Sequence, residues 1–243
     1  MSQQTYPPLN TLKPVDNEIW IVDGDLIRFG PPGFRFSFPT RMTIIRVGTA
    51  LFIHSPTELT AGLKAEIDRI GAPTWLIGPN RLHYWWIPDW RAAYPSARVY
   101  LAPRIKEQAG PRIDFRADEL TENAGYPWAS AIATLAVPGS YMTEFVFFHH
   151  ATRTLVLTDL IENFEPRKLG PFERWLTRIG GVRDPDGKMP LDMRLTFFRR
   201  KAQLRSAVET MIAWQPDRIV LAHGRWYTTG GVNELRRAFR WLL

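Results

Sequence analysis

The chain of 243 residues contains no cysteine, which excludes disulfide bonds and every thiolate metal site. A metal ion would therefore need histidine, carboxylate or water ligands. The chain also lacks any apolar run near the roughly 18 residues that span a membrane. Its polar start, Met1-Ser2-Gln3-Gln4, has neither the basic nor the apolar region of a signal peptide. We therefore expect a cytoplasmic protein with no membrane partner.

Acidic residues are fewer than basic residues. The chain has 24 Asp and Glu against 31 Lys and Arg, which gives a net charge of +7 at pH 7. Such an excess can attract nucleic acid or an acidic substrate. The arginines are scattered, however, and Arg199-Arg200-Lys201 is the only basic run. We therefore expect a small-molecule substrate rather than nucleic acid, and the oligomeric state stays open.

Hydrophobic residues make up 45% of the chain and aromatic residues 13%, enough for one compact core. Residues 1–17 are rich in Pro, Asn and Thr and predict an extended arm, followed by a single domain over residues 18–243.

Gly30 to Pro39 predicts a loop, because of its prolines and glycines, with its phenylalanines beside a cleft. Two apolar runs around Gly48-Thr49 predict a hairpin. The helical spacing from Leu59 to Ile70 then predicts a strand–helix–strand unit.

Three apolar strands run into ionisable residues. Leu155 to Thr158 ends on Asp159, Arg218 to Ala222 ends on His223, and the strand from Trp75 runs into a loop with His83. Functional groups commonly lie where strands end and loops begin. If these three ends meet, the two imidazoles and the carboxylate form an N/O cluster suited to a divalent metal ion.

The order of these motifs over residues 18–243 resembles the metallo-β-lactamase superfamily. The matching marks are Asn80-Arg81-Leu82-His83, Pro138-Gly139-Ser140, Thr158-Asp159 and Ala222-His223-Gly224. The sequence Leu-Thr-Asp-Leu-Ile-Glu-Asn-Phe at residues 157–164 is similar to that of a bacterial and plant branch of this superfamily, which is known as a domain of unknown function. The resemblance implies an α+β fold, a four-layer αβ/βα sandwich of two mixed β-sheets flanked by helices.

The chain departs from the family at its histidines. One histidine remains of the family's His-x-His-x-Asp-His motif, and Ser140 stands where the Pro-Gly-His histidine would be. The resemblance implies that His83, Asp159 and His223 bind one divalent ion. Zinc is expected, with iron or manganese as alternatives, and a site without metal also stays open.

A metal-activated water would attack an ester, amide, thioester, lactone or phosphodiester. In this hypothesis Asp159 is a ligand that also orients the nucleophile, and Glu144 or His54 carries protons. Asn80 polarises the substrate carbonyl, and Trp86 forms part of the cleft wall.

Each candidate ligand also has a purely structural interpretation. His83 can cap a loop and pack among neighbouring aromatics, Asp159 can face Arg153 or backbone N–H groups, and His223 can bind the backbone. The alternative functions are a non-catalytic ligand-binding or sensing module on a degenerate site and, third, a nucleic-acid-processing relative.

Overall fold

The computed structural model describes residues 4–29, 36–122 and 124–243. In these ranges the chain forms two β-sheets and seven α-helices. None of these helices combines the length and apolar character required to cross a lipid bilayer.

The first sheet has seven strands in sequence order. They are β1 (Lys13–Asp16), β2 (Ile19–Phe29), β3 (Phe36–Val47), β4 (Ala50–His54), β5 (Ala72–Gly78), β6 (Arg98–Leu101) and β7 (Asp118–Glu119). Neighbours from β1 to β4 are antiparallel, and neighbours from β4 to β7 are parallel. Within the predicted arm, residues 13–16 thus add an edge strand to this sheet.

The second sheet has four strands in the spatial order β11-β10-β9-β8. They are β8 (Ile132–Pro138), β9 (Thr143–His149), β10 (Thr154–Leu157) and β11 (Arg218–Leu221). The pair β10 and β11 is parallel, and the other two pairs are antiparallel. Both sheets are mixed, which confirms the predicted α+β class.

The described chain contains seven α-helices, and four of them cover the outer faces of the two sheets. The seven are α1 (Ala61–Ile70), α2 (Ile87–Ala93), α3 (Ile105–Ala109), α4 (Pro171–Gly180), α5 (Leu191–Thr196), α6 (Lys201–Ala213) and α7 (Gly231–Ala238). Apolar residues of α1 and α2 belong to the core of the first sheet, and those of α6 and α7 to the core behind the second. The sandwich therefore has the four layers that the resemblance to the metallo-β-lactamase superfamily implied.

The alternation along β9 shows why the second sheet is covered on both faces. Phe145 and Phe147 lie in the core between the sheets, whereas Val146 and Phe148 lie in the core shared with α6 and α7. Successive side chains of a strand point to opposite faces. Phe147 meets Phe52 of the first sheet edge to face at 5.1 Å, so aromatic contacts join the two sheets.

The prediction of a loop from Gly30 to Pro39 is wrong for its last four residues. Gly30 to Arg35 lie outside the described residues, but Phe36 to Pro39 form the start of β3. Pro39 fits a strand here because β4 pairs with β3 only from Thr43 onward, so no neighbour on that side needs the missing N–H. A bulge in β2 between Gly24 and Leu26 adjoins the same position.

Candidate metal centre and cavity

The structure brings His83, Asp159 and His223 together at one edge of the sandwich. Asp159 follows β10 and His223 follows β11, and these parallel neighbours end side by side. His83 lies in the loop after β5 of the other sheet. One ligand atom from each residue lies within 4.8 Å of the other two. We call this set the His-Asp-His cluster.

The distances within the His-Asp-His cluster fit a metal ion. His83 Nε2 lies 3.3 Å from Asp159 Oδ1, and His223 Nε2 lies 3.3 Å from the same oxygen. Ligands about 2.0 to 2.2 Å from a tetrahedral zinc are separated from each other by roughly 3.3 to 3.6 Å. Two of the three ligand pairs therefore have the separation expected around one ion, and the two imidazoles lie within 4.8 Å of each other.

The hydrogen bonds of His223 fix which ring nitrogen faces Asp159. Its Nδ1 lies 2.8 Å from the carbonyl oxygen of Pro39, which can only accept, so Nδ1 carries a proton. In the neutral ring, Nε2 then directs a lone pair at the Asp159 carboxylate. Two acceptors at this distance repel unless a cation or a second proton lies between them. The donor set therefore suits a divalent cation.

The carboxyl group of Asp159 is ionised. Burial opposes its charge, but the charge of His83 and the hydrogen bonds of both imidazoles outweigh this effect and hold its pKa well below the usual range. Burial likewise opposes the charged form of His223, but Asp159 outweighs it and raises the pKa of His223. Asp159 therefore favours a positive charge at His223, which is supplied by a proton or, in a metal site, by the ion.

Asn80 holds two members of the cluster in place. Its Nδ2 donates to Asp159 Oδ2 at 2.6 Å and to Thr158 Oγ1 at 2.9 Å. Its Oδ1 accepts from the backbone N–H of Leu82 at 2.8 Å and of His83 at 3.2 Å. These four bonds use the full capacity of the amide. Asn80 therefore positions the cluster, and its predicted contact with substrate stays a prediction.

Glu144 positions the turn that carries Asp159. Its buried carboxylate accepts hydrogen bonds from the backbone N–H groups of Thr158, Asp159 and Leu160 at 2.8, 2.9 and 3.1 Å. Burial and the charge of Asp159 raise its pKa to about 8, although the backbone donors lower it. These contacts face the turn, and proton transfer by Glu144 stays a prediction.

His54 is the last residue of β4 and is buried, with 1% of its surface exposed. Its ring contacts Phe147 edge to face at 5.4 Å, and it is not among the residues that line the cavity. Burial and the charge of His83 lower its pKa to about 3, so the ring is neutral at pH 7. The proton-carrier role predicted for His54 stays a prediction without a supporting contact.

Arg41 fixes the chain on both sides of His223. Its Nη1 donates to the carbonyl oxygens of Leu221 at 2.7 Å and Gly224 at 2.8 Å. Its Nη2 forms a buried ion pair with Asp23 at 2.7 Å. The guanidinium therefore ties the end of β11 to the first sheet, which the sequence analysis did not predict.

Gly224 is required by the close approach of two chain segments. It has a φ of +85°, and an added Cβ would lie 2.2 Å from the carbonyl oxygen of Asn163. Only glycine meets both conditions without strain. The His-Gly pair after β11 thus has a structural reason at its second position.

A cavity of 510 Å³ opens above the His-Asp-His cluster, within the range of small-molecule sites. Most of its wall is apolar or aromatic. The aromatic and apolar lining residues are Ile27, Phe36, Phe38, Pro56, Leu82, Tyr84, Trp85, Trp86, Tyr141, Pro190 and Met193. We call these residues the cavity wall. Phe36 and Phe38 thus lie beside a cleft as predicted. Trp86 lines the cavity, and its contact with substrate stays a prediction.

Two carboxyl groups on the cavity were not predicted from the sequence. Glu162 and Asp192 both line it. Burial raises the pKa of Glu162 to about 8; the charge of His223 lowers it, and those of Asp159 and Asp192 add to the rise. The only sequence signal for Glu162 was its place three residues after Asp159, beyond the end of a strand. Asp192 has no local signal, because the packing of α5 against the site brings it there.

No protein-family model matches the chain, and no curated protein matches it in sequence. Solved structures do match. The metallo-β-lactamase FIM-1 from Pseudomonas aeruginosa, in its mono-zinc form, superposes with a TM-score of 0.62 at 11% identity, covering 96% of both chains. The chain has the metallo-β-lactamase fold.

Two further neighbours share this metallo-β-lactamase fold. A metallo-β-lactamase from Hirschia baltica has a TM-score of 0.58 at 13% identity, covering 93% of this chain and 94% of that one. The metal-soaked Flv1 flavodiiron core from Synechocystis sp. PCC6803 has a TM-score of 0.63 at 11% identity, covering 96% of this chain but 60% of that one. The fold is thus shared among proteins of more than one kind.

Proposed function

We propose that this protein is a metal-dependent hydrolase with a mononuclear site. The observation that carries the proposal is the His-Asp-His cluster, in which Nε2 of His83 and Nε2 of His223 each lie 3.3 Å from the Asp159 carboxylate. Its substrate would be a small molecule with an ester, amide, thioester, lactone or phosphodiester bond. The metallo-β-lactamase fold of the solved neighbours supports this class of function.

A single ion accounts for the donors at the site. Within the described part of the chain, His83, Asp159 and His223 are the one group of three that could hold a metal. Ser140, where the family has a histidine, is exposed and donates its hydroxyl to the carbonyl oxygen of Thr196 at 2.8 Å. Imidazole and carboxylate ligands suit zinc, iron or manganese.

The bound ion would act as a Lewis acid that lowers the pKa of water toward neutrality and polarises the scissile bond. The chain contributes the geometry of the site. Asp159 is held by Asn80 and, through its backbone, by Glu144. The cavity wall excludes bulk water and positions the apolar part of the substrate over the cluster.

The test is metal analysis combined with a substrate panel. We expect close to one equivalent of zinc, iron or manganese in the purified protein. We also expect turnover of p-nitrophenyl esters, a thioester or bis-p-nitrophenyl phosphate that is lost on chelation and restored by metal. Ligand binding without metal or turnover would instead establish the alternative of a non-catalytic module on this fold.

A further inference from the structure

We propose that the rim of the cavity is a docking surface for an anionic lipid bilayer. The inference goes beyond the proposed function, because it concerns a partner that binds outside the His-Asp-His cluster. It is carried by exposed apolar side chains on two neighbouring helices and by the exposed basic side chains that accompany them.

Large apolar side chains are exposed almost only beside the cavity. In the described chain eight of them are exposed, and seven of the eight lie between residues 141 and 198. One of the seven is Tyr141, which lines the cavity. Three belong to α4, and three belong to α5 or the turn after it. We call these seven side chains the docking surface.

The three residues of α4 form one stripe that begins at the cavity. Phe172, Trp175 and Ile179 recur at intervals of three and four residues, so they share one side of the helix. Phe36 of the cavity wall stacks on Phe172 with 6.3 Å between ring centres. Phe172 stacks in turn on Trp175 at 6.2 Å. The aromatic surface therefore continues from the cavity onto the outside of the protein.

The turn and helix of α5 repeat this pattern on neighbouring chain. Leu191, Leu195 and Phe198 recur at intervals of four and three residues, and Phe198 is 71% exposed. Met193 and Thr196 of the same helix line the cavity, and α5 contacts α4. The docking surface therefore lies on the rim of the cavity. A contiguous exposed apolar patch of this kind marks a site of interaction with a protein or a membrane.

Basic side chains accompany the docking surface. Residues 171–180 and 191–201 contain six Lys and Arg but two acidic residues. Five of the six basic residues are exposed, namely Arg174, Arg178, Arg199, Arg200 and Lys201. None of these five forms an ion pair with a described residue. Lys201 Nζ lies 5.6 Å from the ring centre of Phe198, so positive charge and apolar surface adjoin each other.

This charge favours a lipid surface over a second copy of the chain. Two copies docked through this surface would bring side chains of the same sign together, whereas anionic headgroups attract each of them. Exposed Trp, Phe and Leu beside Lys and Arg are typical of helices that lie in the membrane interface. None of the described helices could cross a bilayer, but a helix that docks on its surface needs no such length. An anionic bilayer therefore fits both kinds of side chain.

The test is flotation of the 243-residue protein with large unilamellar vesicles. One set is pure phosphatidylcholine, and the other mixes phosphatidylcholine and phosphatidylglycerol in a three-to-one ratio. We expect at least about tenfold tighter binding to the anionic vesicles at low salt, and a loss of this preference at high salt.

Variants locate the surface that binds. Trp175→Ser and Phe198→Ser should each weaken binding to the anionic vesicles about tenfold, and Arg178→Gln about fivefold. Leu243→Ser and Arg69→Gln, at exposed positions outside the docking surface, are the matched controls and should leave binding unchanged. Melting temperatures show that each variant is folded.

Absence of binding to both vesicles, equal binding to both, or binding that survives Trp175→Ser and Phe198→Ser would overturn the inference. A stable dimer in light scattering that Trp175→Ser converts to a monomer would assign the surface to a second copy and would also overturn it. Flotation requires neither metal nor turnover, so the inference and the proposed hydrolase fail separately.

Discussion

The His-Asp-His cluster and the cavity wall above it are built in opposite ways. Each member of the cluster is held by hydrogen bonds, as when Asn80 binds Asp159 and the Pro39 carbonyl binds His223. The cavity wall consists of apolar and aromatic side chains. Polar positioning fixes the geometry that chemistry needs, whereas an apolar wall selects by shape. Changes in the cluster should therefore abolish function, and changes in the wall should alter preference.

The largest effect is expected from the cluster itself. Asp159→Ala and His223→Ala each remove a ligand, so metal affinity should fall more than the roughly 10- to 100-fold that second-shell changes cost. Turnover should fall with it. His54→Ala, which removes a buried histidine outside the cluster, should retain metal. Elemental analysis after dialysis measures this, and metal retained by Asp159→Ala and His223→Ala as fully as by His54→Ala would place the ion elsewhere.

The next effect concerns the support of the cluster. Glu144→Ala leaves three backbone N–H groups of the 158–160 turn without their acceptor. We expect a loss of about 3 to 5 kcal/mol in the free energy of unfolding, measured by urea denaturation. Glu209→Ala, on the exposed face of α6, should change the free energy of unfolding by less than about 0.5 kcal/mol. A change of that small size for Glu144→Ala would show that the turn does not depend on this carboxylate.

Glu162 lies where the cluster and the wall meet, and it predicts a pH dependence of stability. Its pKa is raised from the ordinary 4.5 to about 8, so between these values the folded state binds more protons than the unfolded state. The free energy of unfolding should therefore fall as pH rises from about 5 to 8, by roughly 1 to 3 kcal/mol. Glu162→Gln should reduce this slope, and Glu144, whose pKa is also raised to about 8, should account for much of the remainder. An identical slope in the wild type and the variant would assign it to other groups.

The smallest effect is expected from the wall. Trp86→Ala removes part of an aromatic surface that lines the cavity, so KM for an aromatic ester should rise about tenfold or less. The kcat should change little, because the cluster is untouched. Trp175→Ala on α4, with its side chain 57% exposed, is the matched control, because a water-soluble ester needs no lipid surface. A fall in kcat with unchanged KM for Trp86→Ala would give that residue a role in the reaction step.

The His-Asp-His cluster could be predicted from the sequence, whereas most of the contacts that support it and much of the cavity could not. The cluster was predictable because each of its strands is a short apolar run that leads to an ionisable residue, as in Leu155 to Asp159. Parallel strands such as β10 and β11 end at one edge of a sheet, so their terminal residues meet. The hairpin around Gly48-Thr49 was predicted from its turn residues, and the helix after it from the spacing of its apolar residues.

The remaining parts depend on tertiary contacts that no local pattern encodes. Glu144 accepts hydrogen bonds from the 158–160 turn, which is distant from it in the chain. Arg41 likewise donates to the distant carbonyl oxygens of Leu221 and Gly224. Asp192 reaches the cavity only through the packing of α5. The loop prediction failed at Phe36 to Pro39 because proline is tolerated where β3 has no neighbour on one side.

Anomalous X-ray diffraction from crystals of the purified protein, collected across the zinc, iron and manganese edges, tests the central claim most directly. We predict one peak, about 2.0 to 2.2 Å from His83 Nε2, His223 Nε2 and a carboxylate oxygen of Asp159. A metal-replete crystal without a peak there, with Asp159 bound to both imidazoles by direct hydrogen bonds, would contradict it.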